Sequence, residues 1–158
     1  MTTPIPPGMQ GLIPHLVCSP CLEAIAFYKK AFGAEETGCV LAPDGKRVMH
    51  ACLKIGGAPV CLADDFPEYC EGHSQTAIAL GGTPVTIHRF VKDCDAAFQQ
   101  AVDAGASVKM PPMDMFWGDR YGVVVDPYGH NWSVATHQQD LTPEEIQAGM
   151  EEAFSHQP

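Results

Sequence analysis

Phe27-Tyr28-Lys29-Lys30-Ala31-Phe32-Gly33-Ala34 and Phe98-Gln99-Gln100-Ala101-Val102-Asp103-Ala104-Gly105-Ala106 read as one helix end written twice, with a residue inserted in the second copy. Each closes an apolar, helix-spaced run on a glycine, the usual residue just past a helix. Upstream, His15 stands five residues before Pro20 and His88 five residues before Asp93, and Pro20 and Asp93 open the two helices. The two histidines therefore hold equivalent places on the strand before each helix. Repetition at this scale has to be read before any single element, because it decides the architecture.

Working outward, residues 11–18 form a short apolar run suited to a strand, and Leu22, Ile25, Ala26, Phe27 and Phe32 follow at helical spacing. Strands are expected over 35–42, 47–55 and 58–64, joined by Pro43-Asp44-Gly45-Lys46 and Gly56-Gly57. The order then recurs: a strand over 83–91, a helix over 93–104, a short strand over 107–110, a strand over 119–125, the turn Asp126-Pro127-Tyr128-Gly129 and a last strand over 131–137. Two βαβββ modules, 10–64 and 83–137, thus flank a linker, 65–82, broken by Pro67, Gly72, Gly81 and Gly82. The tail, 138–158, holds Thr142-Pro143-Glu144-Glu145, a cap, a first-turn proline and acids at the positive end of a helix. Its Ile146, Met150 and Phe154 make a thin apolar stripe suited to docking on the body or a partner chain.

The 158 residues are 46% hydrophobic and 18% charged, which fits one soluble domain, and its two βαβββ modules make the expected class α+β. The longest apolar stretches, 58–63 and 76–87, fall short of the roughly 20 residues that span a bilayer, so no membrane span is expected. Residues 1–9 carry three prolines and no basic residue, unlike a secretory signal, and the cytoplasm is the expected location. Net charge is -10, and the nine Lys and Arg are dispersed, which excludes a nucleic-acid partner. Half of that charge lies in the tail, which has five acids and no Lys or Arg. Seven cysteines, an odd number, suit a reducing compartment better than a disulfide framework. Cys18-Ser19-Pro20-Cys21 lacks the second pair a zinc ribbon needs, though its place between a strand and a helix is the one a redox pair uses. Phosphate-binding glycine loops, the Gly-x-Ser-x-Gly elbow and His-Glu-x-x-His are absent.

Three segments carry a family resemblance: the helix Ala24–Ala34 in full, Val48-Met49-His50-Ala51-Cys52-Leu53-Lys54-Ile55-Gly56-Gly57, and Phe116-Trp117-Gly118-Asp119-Arg120-Tyr121-Gly122 running on to Asp126-Pro127-Tyr128-Gly129-His130-Asn131-Trp132. The sequence resembles the vicinal oxygen chelate superfamily of glyoxalases, bleomycin resistance proteins and extradiol dioxygenases, and within it the PhnB-like branch. The resemblance implies two curved, half-open mixed sheets forming U-shaped troughs, each a place for a small ligand, and a homodimer that completes them. It also implies a divalent metal held by a His early in the first strand of a module and a Glu near the end of the last. The corresponding positions here are Ile13, Thr86 and Ser133, and residues 58–64 contain no Glu.

The first expectation is therefore a small-molecule-binding protein with no cofactor, whose ligand meets His15, His50, His88, Trp117 and Tyr121. His15 and His88 lie two residues from the usual ligand positions and so keep the same face of their strands. The Met110, Met113 and Met115 loop before Trp117 would add an adaptable apolar wall, useful to a planar ligand or a dimer interface alike. The alternative is a metal-dependent lyase, isomerase or dioxygenase using a shifted set, His15, His50 and His88 with Asp64, so turnover stays open. A third reading is an interaction module without a small ligand. Arg120 is expected to pair with an acid as a structural contact.

Overall fold

The computed structural model describes residues 3–155; the first two residues of the proline-rich N-terminal segment and the last three of the acidic tail lie outside the described residues. The expected α+β order is present: β1 (His15–Val17), α1 (Cys21–Phe32), β2 (Glu35–Leu41), β3 (Val48–Ile55), β4 (Ala58–Ala63), then β5 (Thr86–Phe90), α2 (Cys94–Ala104), β6 (Ser107–Asp114), β7 (Asp119–Val125), β8 (Asn131–His137) and the tail helix α3 (Pro143–Ser155). Each module is a four-stranded mixed sheet, ordered β1-β4-β3-β2 and β5-β8-β7-β6, with the first strand parallel to the last. A single 3-10 turn, Pro67–Tyr69, interrupts the linker.

Helix α1 buries Ala24, Ile25, Phe27, Tyr28, Ala31 and Phe32, a stripe at helical spacing. Pro20 offers no side-chain cap, and Asp64 at the end of β4 supplies it, accepting from the Cys21 N–H at 3.1 Å and the Val48 N–H at 2.7 Å. Asp93 caps α2 directly, accepting from the Ala96 N–H at 2.9 Å. The two helices share one core with both sheets: Phe32 lies 4.4 Å from the Trp132 ring, and the Gln100 side chain donates to the Lys30 carbonyl at 2.8 Å. Tyr28 and Trp132 donate to the same buried Asp126 oxygen at 2.6 and 2.9 Å, tying the first module's helix to the β7–β8 turn of the second.

Strand alternation sorts the remaining residues. Leu16, Leu53, Leu62, Val124, Trp132 and Val134 belong to the core. Alternate positions, His15, His50, Cys52 and Cys61 in one sheet and His88, Tyr121 and Ser133 in the other, therefore share the opposite face.

Three elements depart from the sequence reading. β1 and β5 are shorter than the expected 11–18 and 83–91. β6 is longer than the expected 107–110, so Met110 and Met113 are strand residues rather than loop residues. Pro111 and Pro112 are tolerated because β6 is an edge strand whose pairing shifts register between Met110 and Met113. The tail helix is capped as expected, the Thr142 hydroxyl accepting from the Glu145 N–H at 3.2 Å and the Glu145 carboxylate from the Thr142 N–H at 2.8 Å. It docks on the body through Gly149 and Phe154, which meet Phe116 of the β6–β7 turn.

Candidate functional site

In the second module His88 pairs with Ser133 across β5 and β8, and its Nδ1 lies 2.8 Å from the buried Ser133 hydroxyl. The imidazole stacks on Tyr121 at 5.9 Å and 27° and meets the Phe90 ring edge-on at 4.8 Å. Trp117, in the β6–β7 turn, stands edge-on to Tyr121 at 5.7 Å, and its indole N–H donates to Asp119 at 3.1 Å. The other Asp119 oxygen meets His137 Nδ1 at 2.7 Å, while His137 Nε2 meets Asp140 at 2.9 Å. Hydrogen bonds to Asp140 and then Asp119 raise the His137 pKa above the ordinary histidine value. Gly118 fixes this turn: its φ is +95°, and a Cβ there would stand 2.5 Å from the Gln139 carbonyl oxygen.

The first module repeats the layout with other chemistry. His15 is the register partner of Cys61, as His88 is of Ser133, and Cys52 faces Cys61 as Val123 faces Ser133. Two residues before Cys52, His50 holds the place of Tyr121 and stacks on His15 at 6.1 Å and 11°. Cys52 Sγ lies 3.1 Å from Cys61 Sγ and 3.3 Å from His50 Nε2. Between the modules, His15, His88 and His130 line a cavity of about 750 Å³, together with Ile13 and Thr86. His130 is anchored there by a 3.2 Å contact between its Nε2 and the Val17 carbonyl.

Of the five expected site residues, His88, Trp117 and Tyr121 thus form one aromatic cluster and His15 and His50 another, while His15 and His88 meet at the shared cavity. The metal set that the resemblance implies does not fit: Ile13 and Thr86, which line the cavity, carry no imidazole, and the Ser133 hydroxyl is engaged with His88. Asp64 is no substitute, since both its oxygens accept backbone N–H groups beside α1. The three imidazoles do not gather either. Among the described residues, the group whose ligand atoms all lie within 4.8 Å of one another is His50, Cys52 and Cys61. The two cysteines were not expected at the site.

The Cys18–Cys21 pair carries no redox signature. Both are buried free thiols; desolvation pushes Cys21 up to about 12 and Cys18 beyond the ordinary thiol range, the opposite of a reactive pair. Arg120 makes the expected structural contacts, a two-pronged pair with Asp95 and a 3.0 Å bond to Asp114.

Residues 15–134 match the Glyoxalase/Bleomycin resistance protein/Dioxygenase superfamily. An uncharacterized protein of Mycobacterium tuberculosis is 53% identical over 140 residues, spanning 89% of this chain and 82% of the relative. Among solved structures, TioX from Micromonospora sp. ML1 is 27% identical with a TM-score of 0.62, over 81% of this chain and 98% of that one. A mutant of the fosfomycin resistance protein FosX from Listeria monocytogenes, solved with Mn(II) and a dihydroxypropylphosphonic acid, shares the fold at 17% identity and a TM-score of 0.59, over 87% of this chain and 97% of that one. By sequence and by fold, the chain belongs to the glyoxalase/bleomycin resistance protein/dioxygenase superfamily.

Proposed function

We propose that the protein binds a small planar or apolar molecule without turning it over, as a PhnB-like member of its superfamily that lacks the usual metal. The observation that carries this reading is the His88–Ser133 pair. Ser133 stands where a metal-using relative needs a carboxylate, and here its hydroxyl is already bonded to His88, whose ring meets Tyr121 and Phe90 while Trp117 stands edge-on to Tyr121. Such an aromatic floor with one polar group is the composition of a small-molecule site. His88 Nε2, with no partner among the described residues, offers the ligand a single directional hydrogen bond. His88 also lines the cavity between the modules, where it is joined by His15 of the first module and His130 of the second, and His50 stacks on His15.

A homodimer is part of the proposal. Val40, Phe90 and Met113 are exposed apolar residues of the two sheets, and β2 and β6 are open edges. A second copy of the chain would cover both. The seven free cysteines suit a cytoplasmic setting.

Titration with acridine, followed by its fluorescence, tests the reading. The expected result is saturable binding that Trp117→Ala, Tyr121→Ala and His88→Ala each weaken by roughly 3- to 10-fold, the size of one aromatic or hydrogen-bonded contact. Equal affinity in all three variants would remove the site from these residues.

A further inference from the structure

His50, Cys52 and Cys61 have no role in the ligand site of the second module, and their placement follows from the β3–β4 hairpin. The turn Gly56-Gly57 has φ of +58° and +85°, as a two-residue type I′ turn requires, and sets Cys52 opposite Cys61. The Cys61 N–H donates away from β3, to the Pro14 carbonyl at 2.9 Å, so Cys52 and Cys61 form a non-hydrogen-bonded pair, the kind whose side chains approach closest. His50 shares their face from two residues along β3.

We propose that His50, Cys52 and Cys61 form a zinc site on the open face of the first module, with two thiolates, one imidazole and a fourth position open toward the trough beside His15. With Zn–S bonds of about 2.3 Å and a Zn–N bond of about 2.0–2.1 Å, a tetrahedral site needs S···S and S···N edges of about 3.5–3.8 Å. The present separations are 3.1 Å between the sulfurs and 3.3 Å between Cys52 Sγ and His50 Nε2, with all three ligand atoms within 4.8 Å of one another, so the sulfurs part by about 0.7 Å and the Cys52–His50 edge lengthens by about 0.2 Å to complete that geometry. Two thiolates and an imidazole favour zinc over magnesium, calcium or manganese, which prefer oxygen ligands.

The second module acts as an internal control. Its equivalent positions are Tyr121, Val123 and Ser133, which shows that the fold itself does not require sulfur there. Burial, and then the neighbouring Cys52, hold the Cys61 thiol up at about 11. Binding then converts two S–H groups to thiolates and releases two protons to solvent, and uptake strengthens as the pH rises. The site is distinct from the His88–Tyr121–Trp117 cluster, and loss of one leaves the other in place.

The test uses full-length protein, reduced and stripped with a chelator, then titrated with Co²⁺ and with Zn²⁺ against a chromophoric competitor. The expected result is one metal per chain, with an intense thiolate-to-cobalt charge-transfer band and tetrahedral ligand-field absorption. Cys52→Val and Cys61→Ser, each taken from the equivalent place in the second module so that folding is kept, abolish the band. Each also weakens Zn²⁺ binding by more than about 100-fold, beyond the roughly 10- to 100-fold that losing a supporting residue costs. Cys70→Ser, in the linker, leaves both unchanged. Absence of the band, its survival in the two variants, or a Cys52–Cys61 disulfide that persists in reductant and excludes metal would each overturn the proposal.

Discussion

Asp126 accepts four hydrogen bonds: Tyr28 and Trp132 on one oxygen, and the Tyr128 and His130 N–H groups on the other. A buried hydrogen bond to a charged group contributes about 1.5–3 kcal/mol. Tyr28→Phe is therefore expected to destabilise the protein by about that amount, lowering the melting temperature by about 2–4 °C per kcal/mol. Asp126→Ala should cost more, because it strands four donors, the Tyr28 and Trp132 groups in the core and the Tyr128 and His130 N–H groups in the half-buried turn. Calorimetry of both variants checks the order, and a larger loss in Tyr28→Phe would contradict it. Sequence could name Asp126 only as a turn residue, since Tyr28 is 98 residues away. Cys52 and Cys61 were, by contrast, within reach: a two-residue Gly56-Gly57 turn fixes the pairing of every later residue in the hairpin, and His50 follows by alternation. Weighing the seven cysteines only for disulfides and for the Cys18–Cys21 pair passes over that relation.

Elements were legible wherever a local rule governs them. The helix ends at Gly33 and Gly105 and the Thr142 cap appear as read, because each rests on a few adjacent residues. The extent of β6 did not, because Pro111 and Pro112 look like breakers and are tolerated only at an edge with shifted register, which is a property of the sheet. The β6–β7 turn depends on Gly118 in the same non-local way. Gly118→Ala is expected to displace Gln139 and unseat the tail, read as faster amide exchange in α3 with the core unaffected; unchanged exchange would contradict the clash. His137 joins the start of β7 to the tail through Asp119 and Asp140. Its folded pKa is raised, so the stabilisation is fully present below the ordinary value of 6.5 and fades as the pH climbs through the folded value. An NMR titration should place the His137 midpoint above 6.5 and show Asp140→Asn lowering it. A midpoint at or below 6.5 would break the link.

At the scale of the whole molecule, the duplication made two modules legible, and the face shared by His15 and His88 followed from strand alternation. How the modules join was not legible, because that rests on the Tyr28–Asp126 bond, the Phe32–Trp132 contact and the pairing of α1 with α2. Light scattering is expected to give about twice the chain mass of 17.0 kDa, and a monomer would remove the second copy from the proposal. The proposed ligand lies on the aromatic floor of the second module's trough. A crystal structure of the acridine complex tests it most directly. The ring system is expected to lie along Tyr121 and Trp117 with its nitrogen bonded to His88 Nε2; acridine seated elsewhere, or a trough filled by the protein's own side chains, would contradict it.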